Sequence, residues 1–116
     1  MDENNLQMLM YYKDAIYKEL ESLGINKKVL ESERLKVFTN LDLEKETSLE
    51  KNILNNMQDI EDLQDASVIV DPKFDKIEAL TGGINYEKSQ FNRATDSKRQ
   101  VGFTMKPVLY CTALKE

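Results

Sequence analysis

The feature that most constrains the fold is a stripe of apolar residues near the N-terminus that recurs every three or four positions and stops at Gly24. This spacing predicts an amphipathic helix over about residues 3–23. Glycine adopts the left-handed conformation after a helix at little steric cost, so Gly24 predicts the end of the helix, with Ile25 contacting Leu20 in a Schellman motif. The stripe consists of Leu6, Leu9, Met10, Ile16, Tyr17, Leu20 and Leu23.

A second long helix is predicted over residues 47–65. Thr47 and Glu50 have the spacing of a capping box, in which the two residues satisfy the first free amides of a helix. The apolar residues that follow recur at steps of three and four, which favours packing against another helix at a shallow angle. These residues are Leu49, Ile53, Leu54, Met57, Ile60 and Leu63. The first helix is the expected partner, and together they would form a helical hairpin.

The rest of the chain predicts a small sheet. Residues 26–46 are ambiguous, and we favour a short helical piece capped by Asn26, followed by a strand over 35–43. The β-branched run at 68–71 predicts another strand. Alternating apolar residues over 100–112 predict a third, which Pro107 would confine to a sheet edge.

A short helix is expected between the second and third strands. Asp71-Pro72 resembles a helix start, since aspartate is a good N-cap and proline is favoured at the first helical position. Phe74, Ile77 and Leu80 would form its apolar face, and Gly82-Gly83 would end it. The predicted fold class is α+β and helix-dominated, with an N-terminal helical hairpin packed on a small antiparallel sheet.

Charged residues are unevenly distributed along the chain, which we predict to form a single domain over residues 1–116. Residues 1–66, the helical half, carry 15 acidic and 8 basic groups. Residues 67–116, the mixed half, carry 6 acidic and 8 basic groups, several of them in a predicted loop at 85–100. The acidic half argues against a duplex-binding surface, because phosphates need positive charge. The basic loop could contact an anionic partner, or the two faces could simply be solvated.

The residue types in this chain exclude several catalytic systems. The chain has no histidine and one cysteine, so Ser-His-Asp and Cys-His nucleophiles and a Cys/His zinc site are excluded within it. The stretch from Gly82 to Ser89 nearly matches a phosphate-binding loop, but Glu87 replaces its second glycine. We therefore expect no cofactor, no metal and no enzymatic activity.

Eight residues are candidates for binding a partner. Two tyrosines flank the first apolar stripe, three aspartates recur every third residue, and three residues of the predicted loop combine cations with an aromatic ring. The alternatives are a helix buried in the domain, a solvated acidic face, and an ordinary exposed loop with its phenylalanine on the core. The candidates are Tyr11, Tyr12, Asp59, Asp62, Asp65, Lys88, Phe91 and Arg93.

These patterns favour a non-catalytic interaction protein, such as a small structural subunit, adaptor or inhibitor. It would bind a protein partner or self-associate into an oligomer through its amphipathic helices. The composition suggests an AT-rich bacterial or viral genome, and we favour a phage origin. The alternative is a nucleic-acid-binding regulator that uses residues 86–99. No apolar run reaches the roughly 20 residues needed to span a bilayer, so we expect no membrane partner and a location in the cytoplasm or in a virion.

Overall fold

A computed structural model describes residues 7–57, 60 and 62–115. The fold is α+β, with 47% of the described residues in helices, which confirms the predicted class. In chain order the elements are α1 (Leu9–Ser22), α2 (Lys27–Glu33), α3 (Leu43–Met57), β1 (Ser67–Asp71), β2 (Lys76–Thr81), a 3-10 turn (Gly102–Met105) and α4 (Lys106–Lys115).

The C-terminal end of α1 is the predicted Schellman motif. Gly24 has a φ of 86°, the left-handed region that glycine favours. The amide of Ile25 donates to the carbonyl of Leu20 at 2.9 Å, and the amide of Gly24 donates to that of Glu21 at 3.0 Å. The predicted start near residue 3 lies outside the described residues.

Helix α3 begins earlier than predicted. Asp42 Oδ1 accepts hydrogen bonds from the amides of Glu44 and Lys45, both at 3.1 Å, so Asp42 caps the helix. Thr47 lies inside the helix, and its hydroxyl donates to the carbonyl of Leu43 at 2.7 Å. The capping box at Thr47 is therefore wrong.

The C-terminal end of α3 also differs from the prediction. The helix ends at Met57, and residues 62–66 are not helical. The predicted helix to residue 65 is therefore too long.

The sheet in the described ranges is one antiparallel hairpin. It pairs Ser67 with Thr81 through to Asp71 with Lys76, with a register shift between Ile69 and Val70. The strand predicted at 68–71 is confirmed by β1. The helix predicted after Pro72 is wrong, because those residues form the hairpin turn and then β2.

The other two predicted strands are not formed. Residues 26–33 contain α2, whose N-cap Asn26 accepts from the amide of Val29 at 3.0 Å, as expected. Residues 35–42 are irregular and belong to no strand. Residues 102–115 are helical, and Pro107 stands in the first turn of α4, where its missing amide costs no helical hydrogen bond.

The core lies where α1 and α3 both pack against β2. Its buried apolar members are Met8, Tyr11, Tyr12, Ile53 and Leu80. The two helices therefore share a strand as their common support, and the expected packing of one apolar stripe directly on the other is only part of the arrangement. Leu54, in the predicted helix seam, is 41% exposed.

Helix α4 packs mainly against the 3-10 turn before it, and its described residues are all exposed. Its Val108, Leu109 and Leu114 side chains are 55–87% exposed. The chain exposes 9484 Å² in total, whereas a folded monomer of 13.4 kDa exposes about 6,500 Å². Its radius of gyration is 16.7 Å, against about 13 Å for a compact domain of this length. No helix in the described ranges is both long and apolar enough to cross a bilayer.

Candidate functional site

The most unusual group of side chains lies on the buried face of α3. Glu46 and Glu50 are one helical turn apart, and they continue at helical spacing into Ile53 and Met57. Glu46 has no exposed surface and Glu50 is 5% exposed. Carboxylates are rarely buried without a charged partner, so this pair requires a specific explanation.

Each carboxyl group receives hydrogen bonds from backbone amides on one oxygen. Glu46 Oε2 accepts from the amide of Leu80 on β2 at 2.8 Å. Glu50 Oε1 accepts from the amide of Gln7, before α1, at 3.1 Å. The pair therefore ties α3 to the strand on one side and to the segment that enters α1 on the other.

Burial changes the acidity of both groups. The pKa of Glu46 is raised to about 7. Loss of hydration is the largest cause, the hydrogen bond from the Leu80 amide opposes it, and the neighbouring Glu50 charge adds to the rise. Burial likewise raises the pKa of Glu50, which the amides of Met8 and Gln7 partly oppose.

Two tyrosines of α1 border the same core. Tyr12 donates its hydroxyl to the carbonyl of Ile77 at 2.8 Å. Its pKa is raised first by burial and then by the negative charges of Glu46 and Glu19. Tyr11 donates to the carbonyl of Ser89 at 2.5 Å, and its ring meets the Tyr86 ring edge-on with centroids 5.0 Å apart.

The loop after β2 is fastened to the core by Asn92, which is 2% exposed. Its side-chain amide donates to the carbonyl of Tyr11 at 3.3 Å, and its Oδ1 accepts from the amide of Ala94 at 3.1 Å. The amide of Arg93 donates to the carbonyl of Gly82 at 2.9 Å. The loop therefore returns to the end of β2.

The partner-binding candidates occupy two different environments. Tyr11 and Tyr12 are buried in the core. Asp62, Asp65 and Arg93 line one surface cleft of about 440 Å³, and Lys88 lines a neighbouring cleft of about 530 Å³ together with Asp62. Their role in binding a partner stays a prediction.

The remaining two candidates are Phe91 and Asp59. Phe91 is half exposed, with the Arg93 guanidinium 5.6 Å from its ring centre. Arg93 also donates to the carbonyls of Gly82 and Phe91, so its charge is turned back onto its own loop. Asp59 lies outside the described residues.

Sequence reasoning missed the carboxyl pair, although a signal was present. Glu46, Glu50, Ile53 and Met57 follow one another at steps of four, three and four, which places the two acids on the same face as the apolar residues. The sequence patterns instead place Glu50 in a capping box and give Glu46 no role, because glutamate is normally exposed.

Comparison with known proteins gives related sequences in one class. The chain is 35% identical over 106 residues to penicillin-binding protein 2D of Bacillus subtilis, a match that covers 90% of this chain and 15% of the relative. It is 32% identical over 109 residues to penicillin-binding protein 1B of Vibrio cholerae, which covers 90% of this chain and 14% of the relative. A shorter match of 40 residues to penicillin-binding protein 1A of Haemophilus influenzae reaches 55% identity, covering 34% of this chain and 5% of the relative.

The chain therefore spans about a seventh of the length of these first two relatives. No family model matches it. No solved structure matches it either.

Penicillin-binding proteins use a serine nucleophile in an S-x-x-K motif, with S-D-N and K-T-G motifs elsewhere. This chain has one S-x-x-K match, Ser48 to Lys51, and neither of the other motifs. Ser48 is exposed in the middle of α3, where the surrounding backbone amides serve the helix. We therefore assign no nucleophilic role to Ser48.

These relatives overturn the predicted function. A viral adaptor, structural subunit or inhibitor, with a nucleic-acid regulator as its alternative, is contradicted by similarity to bacterial proteins of cell-wall synthesis. The prediction of no enzymatic activity is contradicted as well, because penicillin-binding proteins are enzymes. The absence of histidine was the misleading argument, since the S-x-x-K system relies on serine and lysine.

The predicted location in the cytoplasm or a virion is contradicted by the same relatives, which belong to a class of membrane-anchored or periplasmic cell-wall enzymes. The predicted viral origin and structural role are wrong for the same reason. Over nine tenths of its length, this chain is similar to a segment of bacterial penicillin-binding proteins.

Proposed function

We propose that this chain is part of a bacterial cell-wall synthesis enzyme of the penicillin-binding type. The observation that carries the proposal is the 35% identity to penicillin-binding protein 2D of Bacillus subtilis over 90% of this chain. An alignment of that length includes the core helices and the hairpin as well as single loops. It therefore supports a shared fold, beyond a shared short motif.

The surface of the chain supports the same proposal. Its exposed area exceeds the expectation for a monomer of its mass by about 3,000 Å². Helix α4 carries apolar side chains around its whole circumference, which is typical of a helix buried inside a larger protein. We expect this helix to be covered by other parts of a longer polypeptide, as the much greater length of the relatives suggests.

Within such an enzyme this chain would contribute a local core. That core would consist of the face of α3 that carries Glu46 and Glu50, the tyrosines of α1, and the hairpin of β1 and β2. Asn92 and Gly82 would then hold the following loop, and through it the chain that leads into α4, at a fixed place on that core. The contribution of this segment is thus to position its C-terminal part against the rest of the enzyme.

A segment exchange tests the proposal. The matching stretch of penicillin-binding protein 2D from Bacillus subtilis would be replaced by this chain, with a shuffled sequence of the same composition as the control. We expect the exchange protein to accumulate and to resist limited proteolysis like its parent, while the shuffled control is degraded. Degradation of both proteins to the same extent would contradict the proposal.

The exchange protein also tests penicillin binding separately from the structural role of the chain. Labelling by fluorescent penicillin would show that the chain supports penicillin binding in its new context. A folded exchange protein without labelling would retain the structural role and remove penicillin binding from the proposal.

A further inference from the structure

The carboxyl pair, Glu46 and Glu50, has an incomplete set of hydrogen bonds. Glu46 Oε1 and Glu50 Oε2 are buried and have no hydrogen-bond partner among the residues that the structure describes. An ionised carboxylate offers about four acceptor positions, whereas a protonated one becomes a donor and needs fewer donors around it. The surroundings therefore provide less stabilisation than two buried negative charges require.

Neighbouring positive charges do not compensate for these missing hydrogen bonds in the described part of the chain. In the part of the chain that the structure describes, neither acid forms an ion pair with a basic side chain. Lys45, next to Glu46 in sequence, is engaged instead by Glu78 on β2 and by Asp42. The titratable groups that interact with Tyr12 on α1 are again acids, Glu46 and Glu19.

A metal ion does not fit this site. The described residues contain no cluster of three or more histidine, cysteine, aspartate or glutamate side chains able to hold one. Backbone amides of Leu80, Gln7 and Met8 reach the pair, and these donors would repel a cation. A proton is the ligand that removes charge without needing further oxygen ligands.

We propose that the carboxyl pair is a proton-binding site, in which a proton on Glu46 holds α3 against β2. Loss of this proton leaves an ionised carboxylate fully buried between the helix and the strand. The charge can return to water only if α3 separates from β2, so deprotonation weakens the packing of these two elements. The inference rests on the geometry of the core and is independent of the proposed enzyme.

The direction of the pH effect follows from linkage. An acid that binds its proton more tightly in the folded chain than in the unfolded chain stabilises the fold at low pH and loses that contribution as pH rises. The unfolding constant of the parent is therefore expected to rise by about two orders of magnitude between about pH 5 and about pH 9.

Urea unfolding of the full chain, followed by circular dichroism over this pH range, tests the proposal. Glu46→Gln keeps an acceptor for the Leu80 amide and removes the titration, so it should lose most of the pH dependence. Glu44→Gln is the matched control, because Glu44 is exposed on the same helix, and it should behave like the parent. Equal pH dependence in Glu46→Gln and the parent would overturn the proposal.

A second measurement protects the test against a variant that fails to fold. The carboxyl carbons of the parent chain, labelled at glutamate, would be followed by NMR during a pH titration. We expect one buried glutamate to titrate near pH 7, apart from the exposed glutamates near their usual values. A spectrum in which every glutamate titrates at the usual values would overturn the proposal.

Discussion

Gly82 offers the sharpest test of how the loop after β2 is packed. A Cβ atom built on Gly82 would lie 2.1 Å from Asn92 Oδ1 and 2.6 Å from Asn92 Cα. The first atom could move with its side chain, but the second belongs to the backbone. Gly82→Ala therefore forces the loop away from β2, in a region where both residues are buried.

The magnitude follows from what that movement breaks. Overpacking in a well-packed core typically costs about 1–3 kcal/mol. Displacing Asn92 also removes its hydrogen bonds with the carbonyl of Tyr11 and the amide of Ala94, at about 1 kcal/mol for each. We expect Gly82→Ala to lower the free energy of unfolding by about 3 kcal/mol or more, which corresponds to about 12 °C in Tm.

Urea unfolding followed by circular dichroism measures this loss, and two variants serve as controls. Gly24→Ala has open space around it and only the strain of its positive φ, so it should lose about 1–2 kcal/mol. Adding Asn92→Ala to Gly82→Ala should not restore stability, because the clash with Asn92 Cα remains. The reasoning would be refuted if Gly82→Ala were as stable as the parent or if the double variant recovered.

Four further predictions concern α1 and α3. Ile53→Asp should unfold the chain in a thermal melt, whereas Leu54→Asp should leave it folded, because Ile53 is 7% and Leu54 41% exposed. Equal effects of the two substitutions would show that α3 does not bury the face that carries Ile53. Tyr12→Phe should cost about 1 kcal/mol in urea unfolding, through loss of the hydrogen bond to Ile77; an unchanged midpoint would argue against that bond. Asp42→Ala should cost about 1 kcal/mol in the same assay as a lost N-cap, and Asp42→Asn much less; equal losses would count against capping. Since the pKa of Glu46 rises from 4.5 to about 7, its contribution of about 3 kcal/mol should be present below about pH 4.5 and lost as pH rises through about 7; stability that increases over this range would reverse the sign.

Local signals were reliable where one residue determines the geometry. Gly24 ended α1 as predicted, because the left-handed C′ position depends on that residue and on hydrogen bonds within one turn. Asn26 likewise marked the start of α2. The helix-dominated α+β class also followed from the long periodic segments.

The errors arose where the periodicity was short and the deciding contacts were distant. Phe74, Ile77 and Leu80 have helical spacing over only two turns, and pairing with β1 made their segment a turn and a strand. The alternation over residues 100–112 crosses from the 3-10 turn into α4. Since the apolar residues of α4 favour no single face, they match a strand pattern as well as a helix. A segment whose burial depends on other polypeptide gives little amphipathic signal.

The candidate site could not be found from residue types alone. Glu46 and Glu50 satisfy their acceptors through Leu80 and Gln7, which are 34 and 43 residues away in the chain. Only the folded arrangement shows that these amides meet the acids. The absence of histidine does not exclude the chemistry of the relatives, because penicillin-binding proteins use a serine and a lysine.

Hydrogen exchange in α4 shows whether this chain is a covered segment of a longer enzyme. Exchange of the α4 backbone amides would be compared between the isolated chain and the protein carrying it in place of its counterpart in penicillin-binding protein 2D. The account predicts slow exchange of the α4 amides in the exchange protein and fast exchange in the isolated chain, where this helix is exposed. Equally fast exchange in both would show that no other polypeptide covers α4 and would contradict the account.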